Sequence, residues 1–286
     1  MIPRVETLPL RPPFDWEGLL HFFSPRAIPG VEAVEEGVLR RSFRKGSQVG
    51  VLEVRLGKKE LHLQVWSDGD TGWLKPLAAK VFDTERNPNE IEKQLGGDAT
   101  LGPLLAKWPG VRLPGAWDGF EMGIRAILGQ QVSVKAAHTL AGRLVAKYGH
   151  HYPSPFPSVT KLFPLAEEVA AIPVGELASI GITQKRAETL GHFARWSALA
   201  EAERGPLLDL PGIGPWTESY LRMRGRSDAD AFPAGDLGIQ KALGIVGLGP
   251  VKAAREAELR SAPWRPYRAY AVFLLWRSLS LEGAVK

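Results

Sequence analysis

LLDLPGIGPWTESYLRMRG, Leu207–Gly225, is the stretch that decides how the chain is read. Two glycines, Gly212 and Gly214, bracket one aliphatic residue, Ile213. A tight turn with φ > 0 and a close backbone approach to a ligand are both easiest where no Cβ is present. Pro215 follows, and proline suits the first turn of a helix, where its missing N–H costs nothing. The string therefore reads as a short helix end, a hairpin through Leu210–Gly214 and a new helix from Pro215. Free backbone N–H groups pointing outward at such a helix start form an anion site. A lone G-x-G would read as a plain helix–turn–helix connector. The leading Leu-Pro and the following Trp-Thr make this string more specific.

Outward from the hairpin the pattern is helical back to Pro114. Phe120, Ile124, Ile127 and Leu128 share one helical face, Gly129-Gln130-Gln131 interrupts, and Ser133 is a plausible N-cap for a second helix. That helix places Ala137, Leu140, Ala141, Leu144, Val145 and Tyr148 on one stripe, and Pro153–Pro157 follows as a loop. Further helices are expected over roughly 165–172, 174–180, 184–198, 215–224, 236–243, 250–260 and 265–279, with Thr183 and Asp236 as N-caps. The first hundred residues differ. Gln48–Leu56 and Lys59–Trp66 are β-rich runs around a turn at Gly57-Lys58, and Leu61, Leu63 and Val65 alternate with His62, Gln64 and Trp66. Val38–Phe43 reads as a third strand and Leu74–Phe82 as a helix. No sequence repeat and no low-complexity tract is evident.

Composition narrows the chemistry. The chain has 286 residues, long enough for two or three modules, and no cysteine, which removes disulfides, thiol nucleophiles, iron–sulfur clusters and thiolate zinc sites. None of the six histidines forms a His-x-x-x-His pair, so a catalytic metal is not expected. No apolar run approaches the roughly 20 residues a membrane span needs, and the N-terminus lacks a secretory pattern, so a cytoplasmic protein with no membrane partner is expected. The net charge of +5 lies wholly in residues 111–286, since residues 1–110 carry 15 Lys+Arg against 15 Asp+Glu. A basic helical portion fits a polyanionic partner.

LPGIGPWT followed by FPAGDLGIQKAL, Phe232–Leu243, resembles the helix–hairpin–helix superfamily of DNA glycosylases, with its Gly/Pro-rich loop and catalytic aspartate. RPPFDW (Arg11–Trp16), GVRLPGAWDGFEMGIRAILGQQVSV (Gly110–Val134), the helix start at Lys185–Leu190 and PWRPYRAYAVFLLW (Pro263–Trp276) are similar, in the same order, to the AlkA-type 3-methyladenine DNA glycosylases. The resemblance covers nearly the whole chain. It implies an α+β fold, mostly helical, with an N-terminal antiparallel β-sheet domain like a TBP repeat and two helical domains flanking a cleft. The expected division is 1–112 for the mixed domain, 113–230 for the helical domain with the hairpin, and 231–286 for the helices that complete the catalytic domain.

The resemblance also assigns roles. On its residues alone Asp236 reads as a helix N-cap; by its place in the motif it matches the family's catalytic aspartate. Trp216, Tyr220, Trp276 and Phe22 match aromatic positions of the family's base pocket, and Leu237 stands where a well-known member has tyrosine. Leu210, Gly212, Ile213, Gly214 and Thr217 form the hairpin expected to grip DNA phosphate. Gln131 occupies the place of an apolar wedge that fills the gap left by a flipped base. Relatives that also nick the strand carry lysine where this chain has Trp216, which implies a monofunctional enzyme that stops at an abasic site. The implied partner is double-stranded DNA carrying alkylated bases, met by a monomer without a cofactor, although relatives often hold an alkali-metal ion at the hairpin. Two other readings stand beside this one: a non-enzymatic DNA-binding protein in which Asp236 only caps, and a hydrolase of free nucleosides or sugars.

Overall fold

The computed structural model describes residues 3–245 and 247–282. Its first part is a five-stranded antiparallel sheet of β1 (Arg4–Pro9), β2 (Glu32–Glu35), β3 (Val38–Lys45), β4 (Gln48–Leu56) and β5 (Glu60–Trp66), in the order β1-β5-β4-β3-β2. The alternation read in the last of these is present: Leu61, Leu63 and Val65 are buried while His62, Gln64 and Trp66 are half-buried. The two edge strands were not among the expected elements. β1 is mostly exposed and ends at a proline, and β2 has only four residues, so neither carries a legible apolar period.

Helix α1 (Trp16–Phe23) crosses between β1 and β2, its N-cap Asp15 accepting from the Gly18 N–H at 2.8 Å. After the sheet come α2 (Leu74–Val81), α3 (Pro88–Leu95) and α4 (Leu101–Lys107). Then α5 (Gly119–Leu128) is capped by Asp118, and α6 (Val134–Tyr148) by Ser133, as its sequence suggests. A ribbon of β6 (His150–His151) and β7 (Lys161–Leu162) brackets the proline-rich loop. The chain continues through α7 (Ala166–Ala170), α8 (Val174–Ala178), α9 (Gln184–Ala198), α10 (Pro215–Gly225), α11 (Leu237–Ala242), α12 (Pro250–Ser261) and α13 (Arg268–Glu282). Thr183 caps α9 and Asp236 caps α11. Among the described residues no helix is long and apolar enough to cross a membrane.

Packing does not follow chain order. The sheet and α1 share one core with the last helix, where Leu52, Leu61 and Phe82 pack in the same cluster as Tyr270 and Leu274. A second core joins α5, α6 and α9, and Ile213 of the hairpin is inserted into it. Between them lies a cleft of about 1460 Å³. Three buried ions and the half-buried Arg125 tie the halves together at its inner end. Arg41 on β3 meets Glu32 on β2 at 3.1 Å and Glu121 on α5 at 2.8 Å, and Arg125 meets Glu121 at 2.6 Å. Burial alone would push the Glu121 carboxyl up, but Arg41 and Arg125 overcome it and hold it at about 2.

Candidate active site

The hairpin is built as its sequence suggests. Leu207–Asp209 forms a single 3₁₀ turn, and the Ile213 N–H closes on the Leu210 carbonyl at 3.0 Å. Gly212 has φ +85°, and a Cβ there would lie 2.0 Å from the Thr189 hydroxyl, so both conformation and space demand glycine. Gly214 precedes α10 in an extended conformation, Pro215 takes the first turn, and no side chain caps the helix start. The hairpin residues divide in two. Gly212 and Gly214 line the cleft, whereas Ile213 is buried and Leu210 packs against the second core, so these two anchor the turn. Thr217 is buried, its hydroxyl turned toward Gln130 rather than outward.

Asp236 lies across the cleft on the first core. Its Oδ1 accepts from the Ile239 N–H at 3.0 Å and from the Trp276 indole at 2.9 Å, and its Oδ2 accepts from the Trp216 indole at 3.0 Å. One carboxylate thus caps α11 and is fixed in its plane by two indoles 20 and 40 residues away. Gly238 gives them room: a Cβ there would lie 3.0 Å from Asp236 Oδ1 and 3.1 Å from the Trp276 ring.

The aromatic residues converge beside this carboxylate. Trp216 stacks on Tyr220 at 5.2 Å, Tyr220 lies 6.2 Å from Trp276, and Trp276 lies parallel to Phe22 at 6.4 Å, with Phe273 edge-on to both. Leu237 is 66% exposed at the mouth, lining the cleft without closing it. Gln131 is exposed at the opposite rim with φ +56°.

Sequence reasoning missed two arginines at the Phe22 end. Arg26 has its guanidinium 3.9 Å above the Phe22 ring and donates to the Phe22 carbonyl at 2.9 Å. Arg224 sits 4.5 Å from the same ring and donates to the carbonyls of Pro114 and Gly115 and to the Tyr220 hydroxyl. Among the described residues neither has a carboxylate partner, and burial, with help from Arg224 and Arg125, lowers Arg26 to about 10. Each has one aromatic neighbour four residues back, Phe22 for Arg26 and Tyr220 for Arg224, but the rest of its surroundings lie far off in the chain, so nothing in the local sequence marks it. Gln130 was also passed over; its side chain crosses from the α5 loop to the hairpin.

Comparison with known proteins sets this geometry in context. Residues 5–118 match the model of the AlkA N-terminal domain, and residues 124–266 match that of the HhH-GPD superfamily base excision DNA repair protein. The probable bifunctional transcriptional activator/DNA repair enzyme AlkA of Mycobacterium tuberculosis is 37% identical over 281 residues, 95% of this chain. The chain spans only 56% of the length of that relative. DNA-3-methyladenine glycosylase 2 of Escherichia coli is 34% identical over 290 residues, covering 94% of this chain and 96% of that protein. Among solved structures, the 3-methyladenine DNA-glycosylase from Archaeoglobus fulgidus has the same fold, with a TM-score of 0.78 over 95% of this chain and 97% of that one, at 22% identity.

Proposed function

The chain belongs to the HhH-GPD superfamily of base excision DNA repair proteins, and from that premise we propose that it is a monofunctional DNA glycosylase acting on alkylated bases. It extrudes the base from duplex DNA and hydrolyses the bond between base and sugar, leaving an abasic site. The observation that carries this reading is the Asp236 carboxylate, pinned by two indole N–H groups at the wall of an aromatic pocket that opens into the same cleft as an uncapped hairpin.

The chemistry follows from that placement. An alkylated purine is cationic and leaves as a neutral base, so its departure needs little protonation. The sugar passes through an oxocarbenium-like state, which a single fixed carboxylate stabilises while orienting water toward it. Trp216 occupies the place of the lysine used by strand-nicking relatives, and its indole orients the carboxylate instead. The Trp216, Tyr220 and Trp276 faces attract an electron-poor base, each by on the order of 0.5–2 kcal/mol. Arg26 and Arg224 oppose a cation at the Phe22 end, so the attraction must come from those three faces and from Asp236. Leu237 leaves the mouth apolar and wide.

The hairpin's outward N–H groups take a phosphate of the duplex, Gly212 and Gly214 allowing the backbone to come close. Gln131 enters the stack as the base leaves, fills the gap and faces the orphaned partner base. The turn from Leu210 to Gly214 carries no side-chain ligand for a metal, so it can offer a cation backbone carbonyl oxygens, a donor set that suits an alkali ion rather than a transition metal. The protein acts as a monomer, because a lesion has no two-fold symmetry for a dimer to match.

One observation favours the plainer reading, a DNA-binding protein without activity: Asp236 does cap α11. Asp236→Asn separates the two. Asparagine caps as well as aspartate does, so folding and DNA binding persist under either reading. On methylated duplex DNA the enzyme reading requires base release to fall by about 10²-fold or more. Unchanged release in the variant, or none in the wild type, would sink it. Borohydride should trap no covalent adduct between the wild type and DNA.

A further inference from the structure

The side-chain amide of Gln130 spans from the interrupted end of α5 to both sides of the hairpin turn. Its Nε2 carries two hydrogens and both are used: one donates to the Gly212 carbonyl at 3.0 Å, the other to the Thr217 hydroxyl at 3.1 Å. The first partner lies inside the turn and the second in the opening turn of α10. A peptide unit is planar, so fixing the Gly212 carbonyl also orients the Ile213 N–H, which closes the turn on Leu210. From the other side, Arg186 on α9 donates to the Gln130 carbonyl at 2.6 Å.

The next residue is Gln131, in the left-handed region at φ +56° and exposed at the rim of the cleft. A non-glycine residue is uncommon there, and contacts made by its neighbours offset the strain. Gln130 and Arg186 supply those contacts, and they attach the loop to the hairpin and to α9. A residue of the same size without donors, such as methionine or leucine, could not make the bridge, and glutamate would set an acceptor against the Gly212 carbonyl.

We propose that Gln130 is a positioning residue that places the wedge by reference to the gripped phosphate, so that Gln131 enters the stack at a set distance from the hairpin. The proposal rests on the reading of Leu210–Thr217 as the phosphate site and of Gln131 as the wedge. It adds that the two work as one body, coupled through a single amide.

The test compares Gln130→Met, Gln131→Ala and the double variant with the wild type, in single-turnover base release from methylated duplex DNA and from a single strand with the same lesion. A single strand has no opposing base and no gap to fill, so wedge placement matters only in the duplex. Gln130→Met should slow release from duplex by about tenfold while release from the single strand stays within about twofold. The double variant should be no more than about twofold slower than the slower single variant, because two residues acting as one unit are not additive. Gln130→Lys, whose ammonium can donate to both partners, should recover most of the duplex rate. Equal losses on both substrates, fully multiplied losses in the double variant, or an unaffected Gln130→Met would each overturn the coupling. If Gln130→Met melts early, Gln130→Lys at full stability decides: a duplex-specific loss in it overturns the proposal and a near-normal rate supports it. An unaffected Gln131→Ala removes the wedge itself, and with it the proposal, while leaving the glycosylase reading to the Asp236→Asn result.

Discussion

The string G-x-G-P occurs twice in this chain, and its two copies fold alike yet serve differently. Gly212-Ile213-Gly214-Pro215 leads into α10, and Gly247-Leu248-Gly249-Pro250 leads into α12. In each, the first glycine is left-handed, at φ +85° and +95°, the second is the uncapped N-cap, and proline takes the first turn. The resemblance ends there. Ile213 is 7% exposed inside the second core, whereas Leu248 is 48% exposed. A Cβ at Gly212 would strike Thr189, but one at Gly247 would meet nothing within 4 Å. Only the first copy lines the cleft and is bridged by Gln130. Four residues are enough to write the turn; they do not make a site. What distinguishes the first copy is supplied by α5 and α9.

The comparison breaks most visibly at the leading glycines. Gly212→Ala must move Thr189 as well as strain its own backbone, which displaces the turn from the cleft. DNA binding should weaken by about a hundredfold, as expected for losing one or two charge-assisted bonds to phosphate. Gly247→Ala meets only the cost of a left-handed alanine, about 1 kcal/mol. It should lower the melting temperature by roughly 2–4 °C and leave DNA affinity unchanged. Equal losses of affinity in the two variants, measured by titration against duplex DNA, would mean that the turns are equivalent after all.

The same contrast explains what could be read in advance. Local strings were legible: the hairpin conformation, the caps Ser133, Thr183 and Asp236, and the alternation in β5 each depend on residues within a few positions. Family resemblance then named the aromatic residues that converge on Asp236. It did not show that Trp216 and Trp276 hold the carboxylate through their indole N–H groups. Residues whose roles are wholly tertiary stayed hidden. Gln130 finds its partners 82 and 87 residues away, and Arg224 finds Pro114 and Gly115 110 and 109 residues away. Arg26 reads as a surface cation until Phe22 and Arg224 are placed beside it. Edge strands β1 and β2 were missed for a different reason, since a short or exposed strand has no need of an apolar face.

If the first turn depends on α5, loosening α5 should affect it and spare the second. Glu121 holds α5 to the sheet through Arg41, and breaking a buried pair of this kind costs about 3 kcal/mol. Glu121→Gln should therefore cost about that much stability and expose the Ile213 amide to hydrogen exchange, with Ala253 in α12 little changed. The pH dependence has a definite sign. The folded carboxyl sits at about 2, below its ordinary 4.5, so the unfolded chain takes up the proton first. This stabilisation is complete above pH 4.5 and is lost as the pH falls from there toward 2. Acid titration of the melting temperature should show that loss in the wild type and a shallower one in Glu121→Gln.

The smallest expected effect reads the charges that flank the two turns. Lys185, at the start of α9, is exposed and lines the cleft; Lys252, in the first turn of α12, is equally exposed but does not. Both add one positive charge near a G-x-G-P turn, so general attraction to DNA should treat them alike at long range. A direct phosphate contact differs, because each one releases condensed counterion and contributes about 0.9 to the slope of log affinity against log salt. Lys185→Ala should reduce that slope by roughly 1, while Lys252→Ala leaves it unchanged and lowers affinity only slightly at low salt. Should Lys252→Ala reduce the slope as much as Lys185→Ala does, the second turn also faces DNA, and the division drawn between the two copies fails.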